Sequence, residues 1–472
     1  MSALISALLL LTGEPRSFGK DFVTAANLGK DQFAAYLKSN FARDEAGFFA
    51  RLEGFRQQAA PMVYLRSGFK DASLERHLIE DKSKEKLTIT LYRTGGDSPK
   101  ISGVLLDGPG LIDKAPAKTY NTWRDPQNLI DEIRKDSGVP AAGLAVFFKG
   151  KEDSFVSGIR KAGSNHLVGR DEIWQMGSIG KAMTATLIAR LIEKGKLKWT
   201  TTLAEALPGF DMKQGYKSVT LAQLLRHRGG VPRDMNFTAA RVREIAKGEK
   251  EPRRLRKLYA ADILSRDLIS QPGSQFAYSN AGYALAGVIA EEAMNLPYEV
   301  LMKQEVFVPL GMTTATADSL RLPADRPFGH LDSASGPQPY EISDALPLFI
   351  SPAGGVSCSV MDLAKFGRAH MDGLAGRNSY LKKETFAELH RGEAEEAGGP
   401  TYACGWSIGP LSGSEVRHGH NGSNGSFISE LAFFPGQDLV VAAVVNRGGE
   451  MDPSPPMQAV LALAKRHATR RN

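Results

Sequence analysis

Ser178 and Lys181 stand three residues apart in Met176-Gly177-Ser178-Ile179-Gly180-Lys181, which opens an apolar run. If the run is a helix, positions i and i+3 share a face and the two side chains can touch. Such a pair can carry out nucleophilic attack. A serine hydroxyl attacks poorly until a neighbour removes its proton, and a lysine amine can do so only when neutral. An ordinary lysine keeps its proton up to about pH 10.4, so burial or neighbouring positive charge must lower that value. Alone, S-x-x-K more often marks a helix start with a solvated lysine. A phosphate-cradling loop fails here, because Gln175 and Ala182 stand where it needs Gly and Ser or Thr. A G-x-S-x-G elbow fails at Ser178 because Met176 replaces its first glycine. That pattern occurs at Gly405-Trp406-Ser407-Ile408-Gly409, but Pro410, Ser412 and Gly413 follow and signal a turn, not the helix an elbow needs.

Two further stretches carry usable groups. In Phe276-Ala277-Tyr278-Ser279-Asn280-Ala281-Gly282-Tyr283, the tyrosine can relay protons and Asn280 can both donate to and accept from an amide or ester. A turn capped by Ser279 or Asn280 before a helix would read the same way. In Gly419-His420-Asn421-Gly422-Ser423-Asn424-Gly425-Ser426-Phe427, the glycines let backbone pass close to a ligand and leave N–H groups for an oxyanion. A plain glycine-rich loop is equally consistent with them.

In chain order, Ser178-Ile179-Gly180-Lys181, Tyr278-Ser279-Asn280 and His420-Asn421-Gly422 resemble the S-x-x-K, Y-x-N and K-T-G or H-x-G motifs of penicillin-recognising serine hydrolases. The branch they resemble holds class C β-lactamases, D-alanyl carboxypeptidases and related esterases. Leu224 to Pro232, Pro309 to Met312 and Pro352 to Ser357 also look familial, and the resemblance runs over about residues 122 to 465. It implies an acyl-enzyme on Ser178, with Lys181 and Tyr278 sharing the proton transfers; which of the two is the base stays open. It implies that Asn280, His420 and Gly422 help bind substrate, and that the N–H groups of Ser178 and Ser423 form an oxyanion hole. The implied substrate is a small ester, amide or peptide, with no cofactor. Many β-lactamases carry lysine where this chain has His420. An ordinary histidine titrates near pH 6.5, so it attracts a substrate carboxylate less firmly. An esterase or D-amino-acid peptidase is therefore expected ahead of an efficient β-lactamase. The reading from another class is a catalytically inactive penicillin-binding-like sensor. His418 and His420, two apart on an expected strand, could also face a metal together, but no third ligand is evident and no metal is expected.

The elements that must position these groups follow from periodicity. Residues 18 to 58 read as helical, with Phe22, Ala26, Phe33, Tyr36, Leu37 and Phe41, then Phe48, Phe49, Leu52 and Phe55, at helical spacing. Leu87, Ile89 and Leu91 alternate with polar residues as in a strand, and Ile101 to Leu106 continues the pattern. Strands are expected at 142–148, 426–434 and 439–445, the last two joined at Pro435-Gly436-Gln437-Asp438, and helices at 179–194 and 281–294. The expected fold is α+β: a small N-terminal α+β domain over 14–110, a linker over 111–121, and a β-lactamase/DD-peptidase-like domain over 122–472. The latter would hold an antiparallel sheet flanked by helices, plus a helical subdomain.

Composition narrows the rest. With 472 residues, 42% hydrophobic and 24% charged, the chain is ordinary globular sequence, not a disordered or collagen-like one. Two cysteines, Cys358 and Cys404, exclude a disulfide scaffold, and sequence leaves their pairing open. No apolar run reaches the roughly 20 residues of a membrane-spanning helix. The apolar stretch Leu4 to Leu11 resembles an export signal, which favours an exported or periplasmic protein over a cytoplasmic one, although no basic residue precedes it. The net charge of +7 is partly local, since Arg241 to Lys257 holds eight Lys or Arg against three Glu. Without interleaved aromatics or a reader motif this stretch is expected to be a basic surface insertion, and no nucleic-acid partner is expected.

Overall fold

The computed structural model describes residues 18–40, 52–107 apart from 54, 55, 58, 71–73, 83, 85 and 94–99, then 120–233, 244–318, 322–340 apart from 332, 334 and 335, 348–394, 401–410, 415–449 and 453–468. The stretch Leu4 to Leu11, Phe41, Phe48, Phe49 and Phe55 therefore lie outside the described residues, as do 111–119 of the expected linker. The chain divides into two compact units, a smaller one up to residue 117 and a larger one from residue 118 onward.

In the smaller unit, helices α1 (Phe18–Asn27) and α2 (Lys30–Asn40) accompany an antiparallel meander of β1 (Val63–Lys70), β2 (Leu74–Glu80), β3 (Lys86–Arg93) and β4 (Ile101–Asp107). The helical repeat supplies Phe22, Ala26, Phe33 and Leu37 to a core completed by Ile79, Ile89, Leu91 and Ile101 from the strands. Phe22 and Phe33 meet edge to face at 5.2 Å, the arrangement that aromatic quadrupoles favour.

The larger unit is organised by an eight-stranded antiparallel sheet that joins both ends of its chain. Along it lie β7 (Glu393–Ala394), β8 (Thr401–Tyr402), β9 (Ser407–Pro410), β10 (Val416–Ser423), β11 (Ile428–Phe434), β12 (Leu439–Val445), β5 (Ala141–Phe148) and β6 (Lys151–Gly158), in that spatial order. Strand β12 pairs with β5 in the register Val441 to Val146, so the C-terminal hairpin closes onto the first strand of the unit. Every residue of β11 and β12 is buried, which requires cover on both faces and explains the unbroken apolar run of β12. Helices α3 (Pro126–Ser137) and α10 (Pro455–Ala468) pack together against this sheet, and α9 (Val360–Leu374) packs on β5, β11 and β12. The hairpin turns at Asp438, whose φ of +50° ends the short helical turn Pro435–Gln437. Ser407 begins a strand, so it sits on no elbow.

A helical part sits between the first and last strands in sequence. It contains α4 (Gly180–Glu193), α5 (Leu221–Leu225), α6 (Pro252–Leu264), α7 (Asn280–Met294) and the short α8 (Ser351–Gly354). Helix α7 is buried on all sides from Ala281 to Glu291, as expected for a helix whose apolar surface goes all the way round. Inside this part the basic stretch departs from expectation at Arg253, Arg256 and Lys257. Arg256 is wholly buried and pairs with Glu291 at 2.7 Å and Glu299 at 2.8 Å. Arg253 and Lys257 both reach Glu292, at 3.1 and 2.8 Å. The end of the stretch that lies on α6 is thus knitted to α7 and to Glu299 beyond it, while Lys247, Lys250 and Arg254 stay exposed as a basic surface would have them. Cys358 and Cys404 are both buried free thiols. No helix among the described residues is long and apolar enough to cross a membrane.

Candidate active site

Ser178 lies in a single helical turn, Gly177–Ile179, that runs directly into α4. One turn on, Lys181 is fully buried, and its Nζ donates to Ser178 Oγ at 3.0 Å and to the Ala353 carbonyl of α8 at 2.8 Å. The i, i+3 geometry expected of the pair is realised, but the lysine is not the solvated one that a chance motif would give. Its Nζ also stands 4.8 Å from the centre of the Tyr278 ring. Tyr278 precedes α7, whose cap is Ser279: the Ser279 hydroxyl accepts from Gly282 N. Asn280 begins the helix and its main-chain N–H donates to the Arg233 carbonyl at 2.9 Å.

Gly419 and Gly422 of the third stretch are not in a loop, whereas Gly425 is in the turn that follows. Gly419 to Ser423 complete β10, and only the residues after Ser423 turn. The reason for glycine is close approach. A Cβ on Gly422 would lie 2.0 Å from the Met176 carbonyl oxygen, and one on Gly177 would lie 2.6 Å from Ser423 N. Gly177 also has φ +52°, a conformation costly for side-chain-bearing residues. Bare backbone on both sides lets the edge of β10 lie against the Ser178 turn, with Ser423 N beside it. Ser429 Oγ from β11 donates to Met176 O at 2.8 Å and ties down the same contact.

His420 is buried beside Tyr278, with ring centres 6.5 Å apart. Its Nδ1 lies 2.5 Å from the Asn421 carbonyl and its Nε2 2.9 Å from Tyr402 Oη. A carbonyl can only accept, so Nδ1 carries the proton and Nε2 accepts from the phenol. Burial, then the Lys181 charge, push His420 down to about 3. The expectation of an ordinary histidine titrating near pH 6.5 is corrected here: the ring has no room to hydrate a charge and sits beside a cation. Tyr402 is held well above the phenol range by burial and stays a donor.

His418, two residues earlier, turns to a different cluster. Its Nδ1 is 3.0 Å from His390 Nδ1, and His390 Nε2 is 2.9 Å from His370 Nδ1. His418 and His420 thus have separate hydrogen-bond partners, and among the described residues no three potential ligands converge on one point.

Two residues of this site carry no signal in their own sequence context. Tyr402 lies on a two-residue strand. His227 falls within the familial stretch Leu224 to Pro232, yet nothing in the pattern marks it. In the structure its ring is 1% exposed and packs 4.3 Å from Tyr278 and 4.8 Å from Tyr402. Burial, then the charge of Lys181, hold it well below the usual imidazole range.

A sheet with helices on both faces, and a serine, lysine and tyrosine in contact where the helical part meets β10, define a β-lactamase/penicillin-binding-protein-like fold. Residues 126–465 match the Beta-lactamase family model, and the chain belongs to that family. It is 28% identical to "Penicillin-binding protein 4" of Amycolatopsis lactamdurans over 337 residues, 68% of this chain and 84% of that protein. Among solved structures, a class C β-lactamase from Rhodobacter sphaeroides superposes with TM-score 0.57 at 19% identity, covering 72% of this chain and 98% of that one. A D-stereospecific amidohydrolase from Streptomyces sp. superposes with TM-score 0.58 at 22% identity, covering 71% and 97%.

Proposed function

We propose that this Beta-lactamase-family hydrolase works through an acyl-enzyme on Ser178 and prefers esters or D-amino amides and peptides to penicillins. The observation that carries the reading is the buried Lys181 amine 3.0 Å from Ser178 Oγ. Ser178 Oγ attacks the substrate carbonyl carbon, and its proton passes to the Lys181–Tyr278 pair. The N–H groups of Ser178 and Ser423 receive the negative oxygen, a contribution of about 3–4 kcal/mol to the barrier per donor in other enzymes. The intermediate collapses, the alcohol or amine leaves with the proton from the pair, and water then releases the acyl group by the same steps. Asn280 and Gly422 border the acyl group.

Substrate preference follows from His420. A cationic lysine in its place would draw in a carboxylate, whereas His420 is neutral and spends both ring nitrogens on Asn421 and Tyr402. The amidohydrolase among the fold neighbours makes D-amino amides a natural member of the substrate set. Aryl esters, D-alanyl amides and a chromogenic cephalosporin, compared by kcat/KM, test the preference. Esters or D-amides should lead, and Ser178→Ala should abolish turnover of all three. A penicillin or cephalosporin turned over as well as the esters would overturn the preference.

A further inference from the structure

We propose that His227 is a positioning residue for Tyr278, fixing the phenol over Lys181 by gripping the peptide on either side of it. This rests on the reading of Ser178, Lys181 and Tyr278 as the reacting set. The N–H of Ala277 donates to the His227 carbonyl at 2.7 Å, and the N–H of Ser279 donates to His227 Nδ1 at 3.0 Å. One residue thus holds both neighbours of Tyr278, while its imidazole lies against the tyrosine ring at 4.3 Å. The same loop completes the grip, since Ser279 Oγ donates to the Pro232 carbonyl at 2.7 Å and Asn280 N to the Arg233 carbonyl.

A residue there only to fill space would be chosen differently. His227 has φ +57°, a left-handed conformation that histidine adopts more readily than bulky residues do. With Nδ1 accepting, the proton sits on Nε2, which is buried with no hydrogen-bond partner among the described residues. A phenylalanine would pack as well against Phe276, Tyr283 and Tyr402 and leave no unmet donor. What it lacks is an acceptor for Ser279 N–H, and that acceptor is the feature the site retains despite the unmet Nε2 donor.

The test is a double-mutant cycle on the single-turnover acylation of Ser178 by p-nitrophenyl acetate, with folding followed by thermal unfolding. His227→Phe keeps bulk and removes the acceptor. His227→Asn places an oxygen near the Nδ1 position and tolerates positive φ. In the wild-type background we expect His227→Phe to slow acylation about tenfold and His227→Asn about threefold. In the Tyr278→Phe background neither should cost anything further, because the group being positioned is gone. Equal losses in both backgrounds, or no loss in the wild-type background, would overturn the positioning role. If His227→Phe does not fold, His227→Asn in the same two backgrounds gives the same reading. Tyr278→Phe alone separates the two proposals: wild-type acylation in that variant removes Tyr278 from the reacting set, and the positioning role falls with it. A slowed Tyr278→Phe with multiplying His227 losses rejects only the latter.

Discussion

In the proposed reading, His420 decides how the site meets charge. A histidine held near pH 3 by burial and by Lys181 is neutral throughout the range in which the enzyme can be assayed. Its lowered pKa means that it gains a proton only far below neutrality, so it contributes no inflection near pH 6.5. The kcat/KM profile for an aryl ester between pH 5 and 8 should therefore keep its shape in His420→Asn while changing in height. A limb near 6.5 that disappears in the variant would show that His420 titrates with substrate access and would return it to the cationic role.

At the scale of elements, the site depends on two close approaches. Strand β10 meets the Ser178 turn only because Gly177 and Gly422 lack side chains. Gly422→Ala must push β10 away from Met176, carrying Ser423 N with it. Acylation should fall by about 10²–10³, the scale of one lost oxyanion donor, while the pairing of β10 with β9 and β11 keeps the unit folded. Acylation at the wild-type rate would show that Ser423 N holds no oxyanion. Farther off, α6 and α7 are locked by Arg256 between Glu291 and Glu299. Arg256→Leu leaves Glu291 buried without its cation, and urea unfolding should report a loss of about 3–5 kcal/mol. Much of this architecture could be read from residue order. The apolar runs of β5 and β12 and the turn at Asp438 were legible because burial on two faces and a tight hairpin leave local signatures. Ser178 and Lys181 were legible for the same reason, since helical spacing is local. His227, Tyr402 and the burial of Arg256 were not, because each depends on partners 35 or more residues away or on a strand of two residues. The glycines at 419 and 422 read as loop because close approach and loop flexibility select the same residue type.

For the whole molecule, the surplus of basic residues is partly a structural resource, with Arg253, Arg256 and Lys257 turned to carboxylates on or near α7. The histidines set its response to acid. Six of the nine, His227, His330, His370, His390, His418 and His420, have lowered pKa values, with burial the first cause in each. In the unfolded chain each takes a proton near pH 6.5, whereas His418 waits until about 4 and His370 and His420 until about 3. The unfolded state therefore binds more protons in this window, and stability present above pH 6.5 is lost as pH falls. Each such group costs about 1.4 kcal/mol per pH unit, so together they can exhaust a typical stability of about 5–15 kcal/mol within a few units. Thermal unfolding should be level from pH 8 to 7 and drop steeply below 6.5; a level profile down to pH 4 would contradict it. The central claim, an acyl-enzyme on Ser178, is tested most directly by intact-protein mass spectrometry after exposure to a fluorophosphonate, followed by peptide mapping. The account predicts one adduct, on the peptide containing Ser178 and absent from Ser178→Ala; no adduct, or one that persists in Ser178→Ala, would contradict it.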